Sequence, residues 1–177
     1  MYRGNNKVAM ASQQRIRKAL LALLEREDFD SISTSALCRE AAVSRQTFYN
    51  LYSSKEDVVV DLLGYYRYDP SVCEKYGNGC ADLHVFLSAF ADYLVTNAGL
   101  LRLLLRNGVF HLLYDSFHTS IDDWRNAQAG AEKCPAYRAS FVAAGLTGIA
   151  RAYVEEGCVA NREELEQTIR GLFGSCA

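Results

Sequence analysis

Five side chains, Arg45, Gln46, Thr47, Tyr49 and Asn50, have the types and spacing best suited to a chemical task. All five can hydrogen-bond. In a helix beginning at Arg45 they take one side, while Phe48, Leu51 and Tyr52, at i, i+3 and i+4, anchor the other. Short polar and cationic side chains near a helix N-terminus suit the major groove of duplex DNA, where Arg pairs with guanine edges and Gln with adenine. The same composition also describes a plain solvated face, so the neighbouring elements must decide between the two.

Those neighbours supply the frame of a reading helix. Ser33 precedes the apolar positions Ala36, Leu37 and Ala41, so its hydroxyl can accept from free amides and open a short helix of barely two turns. Val43 intervenes, and Ser44 can cap the second helix, which is a helix-turn-helix spacing. Upstream, a helix is expected over about Met10 to Glu27, with Ile16, Leu20, Leu23 and Leu24 as one stripe packing against the pair. Asp28 to Ile32 connects them, with Phe29 and Ile32 as core plugs, and residues 1 to 8 are expected to fray. Ser53, with Glu56 three residues on, forms a capping-box start for a helix running to about Tyr68.

The segment resembles the DNA-binding domain of the TetR family of bacterial regulators. That family's pattern has a helix ending Ala-Gly-Val-Ser, then Thr-Phe-Tyr, an aromatic, and Ser-Lys-Glu. Here it reads Ala41, Ala42, Val43, Ser44, then Thr47, Phe48, Tyr49, Tyr52, Ser53, Ser54, Lys55 and Glu56. The resemblance implies phosphate contacts from Ser33, Thr34, Ser44, Thr47, Tyr49 and Lys55, and base reading by Arg45, Gln46 and Asn50. Three positions depart from the pattern: Ala42 replaces a turn glycine, Asp28 replaces a glycine after the first helix, and Leu51 stands where a phosphate-binding His is frequent. Ala42 must either avoid positive φ or carry strain.

The remainder reads as a helical body. Asp69 to Gly79 breaks the chain with Pro70, Gly77 and Gly79; helices are expected over about Ala81 to Asn97, Leu100 to Arg106 and Val109 to Asn126. Ala127 to Pro135 is a second connector, and a long helix over Ala136 to Glu156 ends at Gly157. Asn161 and Glu164 form a capping-box start for a last helix, Arg162 to Phe173, stopped by Gly174. The fold expected is all-α: a helix-turn-helix domain over residues 1–56, a connecting helix at 54–68, and an effector-binding and dimerisation domain over residues 57–177. TetR-like proteins dimerise through their last two long helices, which implicates Gly145, Gly148, Ile149, Leu165, Ile169, Leu172 and Phe173. The order Gly145-Leu146-Thr147-Gly148-Ile149, Glu155-Glu156-Gly157 and Glu163-Glu164-Leu165 is also similar to a subgroup related to dihydroxyacetone-kinase regulators. An effector chamber is expected between the helices at 81–97, 109–126 and 136–156, with Phe90, Tyr93, Phe110, Tyr114, Phe117 and Phe141 as candidate lining residues or plain core.

Charge fits a specific reader better than a general nucleic-acid binder. The net charge of the 177 residues is −2, but residues 1–60 hold nine Lys and Arg against seven Asp and Glu, and residues 61–177 hold ten against fourteen. The six cysteines, Cys38, Cys73, Cys80, Cys134, Cys158 and Cys176, include no Cys-x-x-Cys, and read as reduced thiols. No apolar run approaches spanning length and Met1 to Ser12 has no signal-peptide core, so a cytoplasmic protein without membrane contact is expected. His84, His111 and His118 could form a metal or thiol–base site, yet no HExxH or phosphate-binding glycine loop supports an enzyme. No cofactor or metal is expected. The expected partners are double-stranded operator DNA, a second copy, and a small-molecule effector; a coregulator controlled by a protein partner is the alternative.

Overall fold

The computed structural model describes residues 6–67, 83–127 and 136–173, and every regular element among them is helical. Helix α1 spans Lys7–Leu24, earlier than the periodicity places it. Asn6 is the reason: its Oδ1 accepts the Val8 amide at 3.0 Å and opens the helix three residues upstream of Met10. Ile16, Leu20, Leu23 and Leu24 are all buried along the expected stripe. A 3-10 turn, Phe29–Ser31, follows, and Phe29 and Ile32 are buried.

Helices α2 (Thr34–Glu40) and α3 (Arg45–Leu51) both begin at the serines that were expected to cap them. Ser33 Oγ accepts from Ala36 N at 3.1 Å and Ser44 Oγ from Thr47 N at 3.0 Å. The turn between them is a Schellman motif, with Val43 N donating to Cys38 O at 3.0 Å and Ala42 N to Arg39 O at 3.2 Å. Ala42 takes φ 51°, so this turn carries the strain that glycine would avoid.

Helix α4 (Lys55–Arg67) starts one residue later than the expected box. Ser54, not Ser53, caps it, its Oγ accepting from Asp57 N at 3.3 Å. Asp57, not Glu56, reaches back, its carboxylate accepting from Ser53 N at 2.8 Å. The α4 helix packs on α1 and on the later helix that begins at Leu112.

The body consists of α5 (Leu83–Thr96), α6 (Ala98–Arg106), α7 (Leu112–Ala127), α8 (Ala136–Glu155) and α9 (Arg162–Phe173). Helix α7 starts three residues later than expected: Gly108, at φ 72°, turns the chain after α6, and the amides of Leu112, Leu113 and Tyr114 then bond the carbonyls of Val109, Phe110 and His111 in tighter turns before the α-helix sets in. Gly157, at φ 83°, ends α8 in the same way, with Cys158 N donating to Tyr153 O at 2.8 Å. The expected box at α9 is complete: Asn161 Oδ1 accepts from Glu164 N at 3.0 Å, and Glu164 Oε2 accepts from Asn161 N at 3.0 Å. The expected break at Asp69 to Gly79 and residues 128–135 of the second connector lie outside the described residues, as do Cys73, Cys80, Cys134, Cys176 and Gly174.

Helix α9 packs chiefly on α5, and α8 on α7 and α6. Leu165 and Ile169 are buried within the single chain. A polar clasp surrounds that seam. Ser88 Oγ on α5 donates to Glu166 Oε1 at 2.6 Å, Arg170 donates to the same carboxylate at 2.6 Å, and Arg162 pairs with Asp92 and, at 3.0 Å, with Glu166. The Ser88 hydrogen bond and the two arginines hold the Glu166 carboxyl below the usual range.

Candidate nucleic-acid interface

The N-terminal domain presents one face of α3 to solvent and buries the other. Arg45, Gln46, Tyr49 and Asn50 are exposed, Thr47 is half-buried, and Phe48 and Leu51 are core. Gln46 Nε2 donates to Asn50 Oδ1 at 3.1 Å one turn on, which ties the two exposed amides together and still leaves a Gln46 oxygen acceptor and the Asn50 amide donors for other partners. The Ser44 and Thr47 hydroxyls lie 2.8 Å apart at the N-terminus, where helix amides favour an anion. Tyr49, 51% exposed, rests edge-on against Phe48 at 5.4 Å, so its ring is steadied and its hydroxyl is free of the core. Ser33 is exposed and Thr34 half-buried at the start of α2.

Three supports behind α3 are long-range and have no signature in the sequence. Tyr52, read as an apolar anchor, is buried, yet its hydroxyl donates to Asp61 Oδ2 of α4 at 2.5 Å. Arg17 of α1 pairs with the same oxygen at 2.8 Å. Burial foremost, and then the hydrogen bond and charge of Asp61, push the Tyr52 hydroxyl far above its ordinary pKa, so it remains a donor. Arg15 Nη1 donates to Ala42 O at 3.1 Å and braces the strained turn. Burial also raises the Cys38 thiol, with Arg45 opposing it; Cys38 is thereby an inert core thiol.

Lys55 is used differently from its expected part. Its ammonium donates to Phe29 O at 2.6 Å and Ile32 O at 3.1 Å, and sits 4.2 Å from the centroid of the Phe29 ring. Two of its three N–H groups are therefore spent joining α4 to the connector before α2.

In the body, Phe90, Tyr93, Phe110 and Phe117 are buried and Tyr114 is half-buried. The rings of Phe90, Tyr93 and Phe117 pack on one another, with centroids 5.6, 5.9 and 6.4 Å apart. Tyr114 lies beside His118, whose Nε2 is 3.2 Å from Ser140 Oγ of α8. Phe141 is not brought to this cluster. It is 66% exposed, because on α8 it shares a face with Tyr137, Ala144 and Gly148, opposite the buried Ala143, Leu146 and Ala150. An open polar groove of about 380 Å³ lies elsewhere, lined by Glu25, Arg26, Glu27, Asp28, Ser31 and Arg106.

The expected dimer residues divide in the same way. Gly148 and Leu172 are exposed and Gly145 and Ile149 half-buried, but Leu165 and Ile169 face the chain's own core. The side chain of Phe173 lies outside the described residues. Among the described residues there is no group of three or more potential metal ligands, and no helix is long and apolar enough to cross a membrane.

Residues 16–62 match the family model for bacterial regulatory proteins of the tetR family. Those residues, from α1 through α2 and α3 into α4, are thus similar to the DNA-binding domain of bacterial transcription regulators. The structure of Lin0861 from Listeria innocua shares the whole fold, with a TM-score of 0.77 at 14% identity over 100% of this chain and 97% of that one. The dihydroxyacetone kinase operon activator DhaS shares it more loosely, with a TM-score of 0.53 at 18% identity over 93% of this chain and 94% of that one. No curated protein sequence matches the chain.

Proposed function

We propose that the chain is a homodimeric, sequence-specific repressor that reads operator DNA with α3 and is released by a small-molecule effector bound in its body. The observation that carries the reading is the exposed hydrogen-bonding face of α3, held rigid by buried Phe48, Leu51 and Tyr52. Arg45, Gln46 and Asn50 read bases; Ser33, Thr34, Ser44, Thr47 and Tyr49 hold phosphates. Lys55 adds at most one N–H to a phosphate, since two are already engaged. The second copy docks on the outward face of α8, where Tyr137 (77% exposed), Phe141, Ala144 and Gly148 form an apolar strip wetted in the single chain.

A second reading is favoured by the mutual packing of Phe90, Tyr93 and Phe117, which fills space that an effector would need. In it the chain is a coregulator or activator controlled by a protein partner. The deciding experiment selects bound sequences from a random DNA pool, then screens metabolites for release of the selected operator. Selection of no sequence defeats the first reading; a metabolite that releases the operator supports it; an operator whose binding responds to a partner protein alone replaces it with the second. Phe141→Glu tests the interface: it should yield folded monomers by sedimentation, and an unchanged dimer would place the interface elsewhere.

A further inference from the structure

We propose that Asn107, with Arg106 beside it, is a positioning residue that sets the orientation of the reading domain on the body, and through it the half-site spacing that the dimer accepts. This rests on the dimeric operator-reading function proposed above. Helix α4 is one hold between the two parts, packed on α1 and on α7. A single helical hold leaves the domain free to rotate about that helix.

The second hold is a hydrogen-bonded corner at the end of α6. Asn107 Oδ1 accepts from Phe29 N at 3.1 Å, while its Nδ2 donates to Leu24 O at 3.3 Å and to Leu103 O at 2.9 Å. Arg106 Nη2 donates to Leu24 O at 2.7 Å and to Glu25 O at 3.3 Å. Leu24 and Glu25 end α1, where helix carbonyls have no partner of their own and a cation is favoured. The body thus caps the first helix of the reading domain. The corner is itself fixed, because Gly108 at φ 72° lets Val109 N bond Leu104 O at 3.1 Å and so sets the direction of the Asn107 side chain.

From this corner the contacts run on without a gap toward the reading pair. The Phe29 and Ile32 carbonyls are held by Lys55, and Ser33, the next residue, caps α2. A shift of the α6 end must therefore move the α1 end and the start of α2 together. In a two-fold dimer, that orientation decides whether two α3 helices meet the major groove one turn apart, about 34 to 36 Å, or fall out of step.

The test uses the full-length protein and an operator selected by it from random DNA, remade with its half-sites moved by one and by two base pairs. Affinity for each spacing, and for a single half-site, is measured for the parent, Asn107→Ala and the exposed-site variant Arg106→Ala. The parent should lose about tenfold or more on the altered spacings. Asn107→Ala should narrow that penalty to about threefold or less, and Arg106→Ala part of the way, with single half-site binding unchanged within about twofold. Variants that keep the parent's spacing penalty, or that lose affinity equally for every DNA including the single half-site, would overturn the proposal. A parent that selects no paired half-sites would instead remove the functional reading on which it rests.

Discussion

Helices α3 and α8 each bury one face and expose the other, but their exposed faces are chemically opposite. On α3 the outward residues are Arg45, Gln46, Tyr49 and Asn50; on α8 they are Tyr137, Phe141, Ala144 and Gly148. A polar outward face loses little in water, so its meaning lies in the rigidity behind it: Tyr52, Asp61, Arg17 and Arg15 hold α3 at its end and at its preceding turn. An outward row of rings and small residues does lose in water, and is relieved by a complementary apolar surface. One face offers hydrogen-bonding groups to a polar partner; the other leaves apolar surface that only an apolar partner relieves.

The largest effect that can break this comparison lies on α9. Its apolar stripe, read from sequence as interface, is core at Leu165 and Ile169. Ile169→Asp should therefore cost about 3 to 5 kcal/mol of stability, from the cavity and the buried carboxylate together. Urea unfolding would show it as a lower midpoint. Stable, folded monomers from that variant would restore α9 to the interface and blur the distinction between its inner face and that of α8.

On α3 the expected loss is in recognition rather than folding. Arg45 is exposed, so Arg45→Ala should leave stability nearly unchanged and cost about 1 to 3 kcal/mol on the operator, relaxing choice at one base position. Equal losses on operator and random DNA would demote Arg45 from base reading to phosphate contact.

How much of this was legible in the sequence follows from the range of each interaction. Caps at Ser33, Ser44, Asn161 and Gly157 are local, set by residues within a turn, and all stand where the pattern puts them. The family pattern likewise sits in one contiguous segment. The box at Ser54 and Asp57 was misplaced by one because two serines in a row each precede an acid at the right distance. What was not legible depends on partners distant in sequence. Tyr52 meets Asp61 and Arg17, Asn107 meets Leu24 and Phe29, and the α9 stripe meets α5; periodicity finds an apolar face but cannot say which chain covers it.

Lys55 sharpens the same point at intermediate size. By resemblance it is a phosphate contact; by geometry it is a joint between α4 and the connector. Lys55→Met keeps the apolar stem and removes the charge. It should lower stability by about 1 to 2 kcal/mol, because two carbonyls lose charge-assisted hydrogen bonds. If the joint is its main use, the slope of operator affinity against salt should hardly change; a fall of about one unit would show a full phosphate contact.

The smallest effect concerns the turn that aims α3, and it sharpens the comparison by separating stability from recognition. Three helices, α2, α6 and α8, end in Schellman motifs, with Ala42, Gly108 and Gly157 respectively at the left-handed position. An L-residue with a Cβ at φ 51° costs about 1 to 2 kcal/mol relative to glycine. Against this, glycine loses more chain entropy on folding, about 0.5 to 1 kcal/mol. The first quantity exceeds the second, so Ala42→Gly should raise stability by about 0.5 to 1 kcal/mol, with a higher thermal midpoint. Operator affinity should stay the same, because the Ala42 carbonyl that accepts from Arg15 and the Val43 to Cys38 bond are both backbone features that glycine retains. A midpoint that falls instead would mean that the Cβ of Ala42 contributes packing worth more than its strain, and the turn would then be tuned for its alanine.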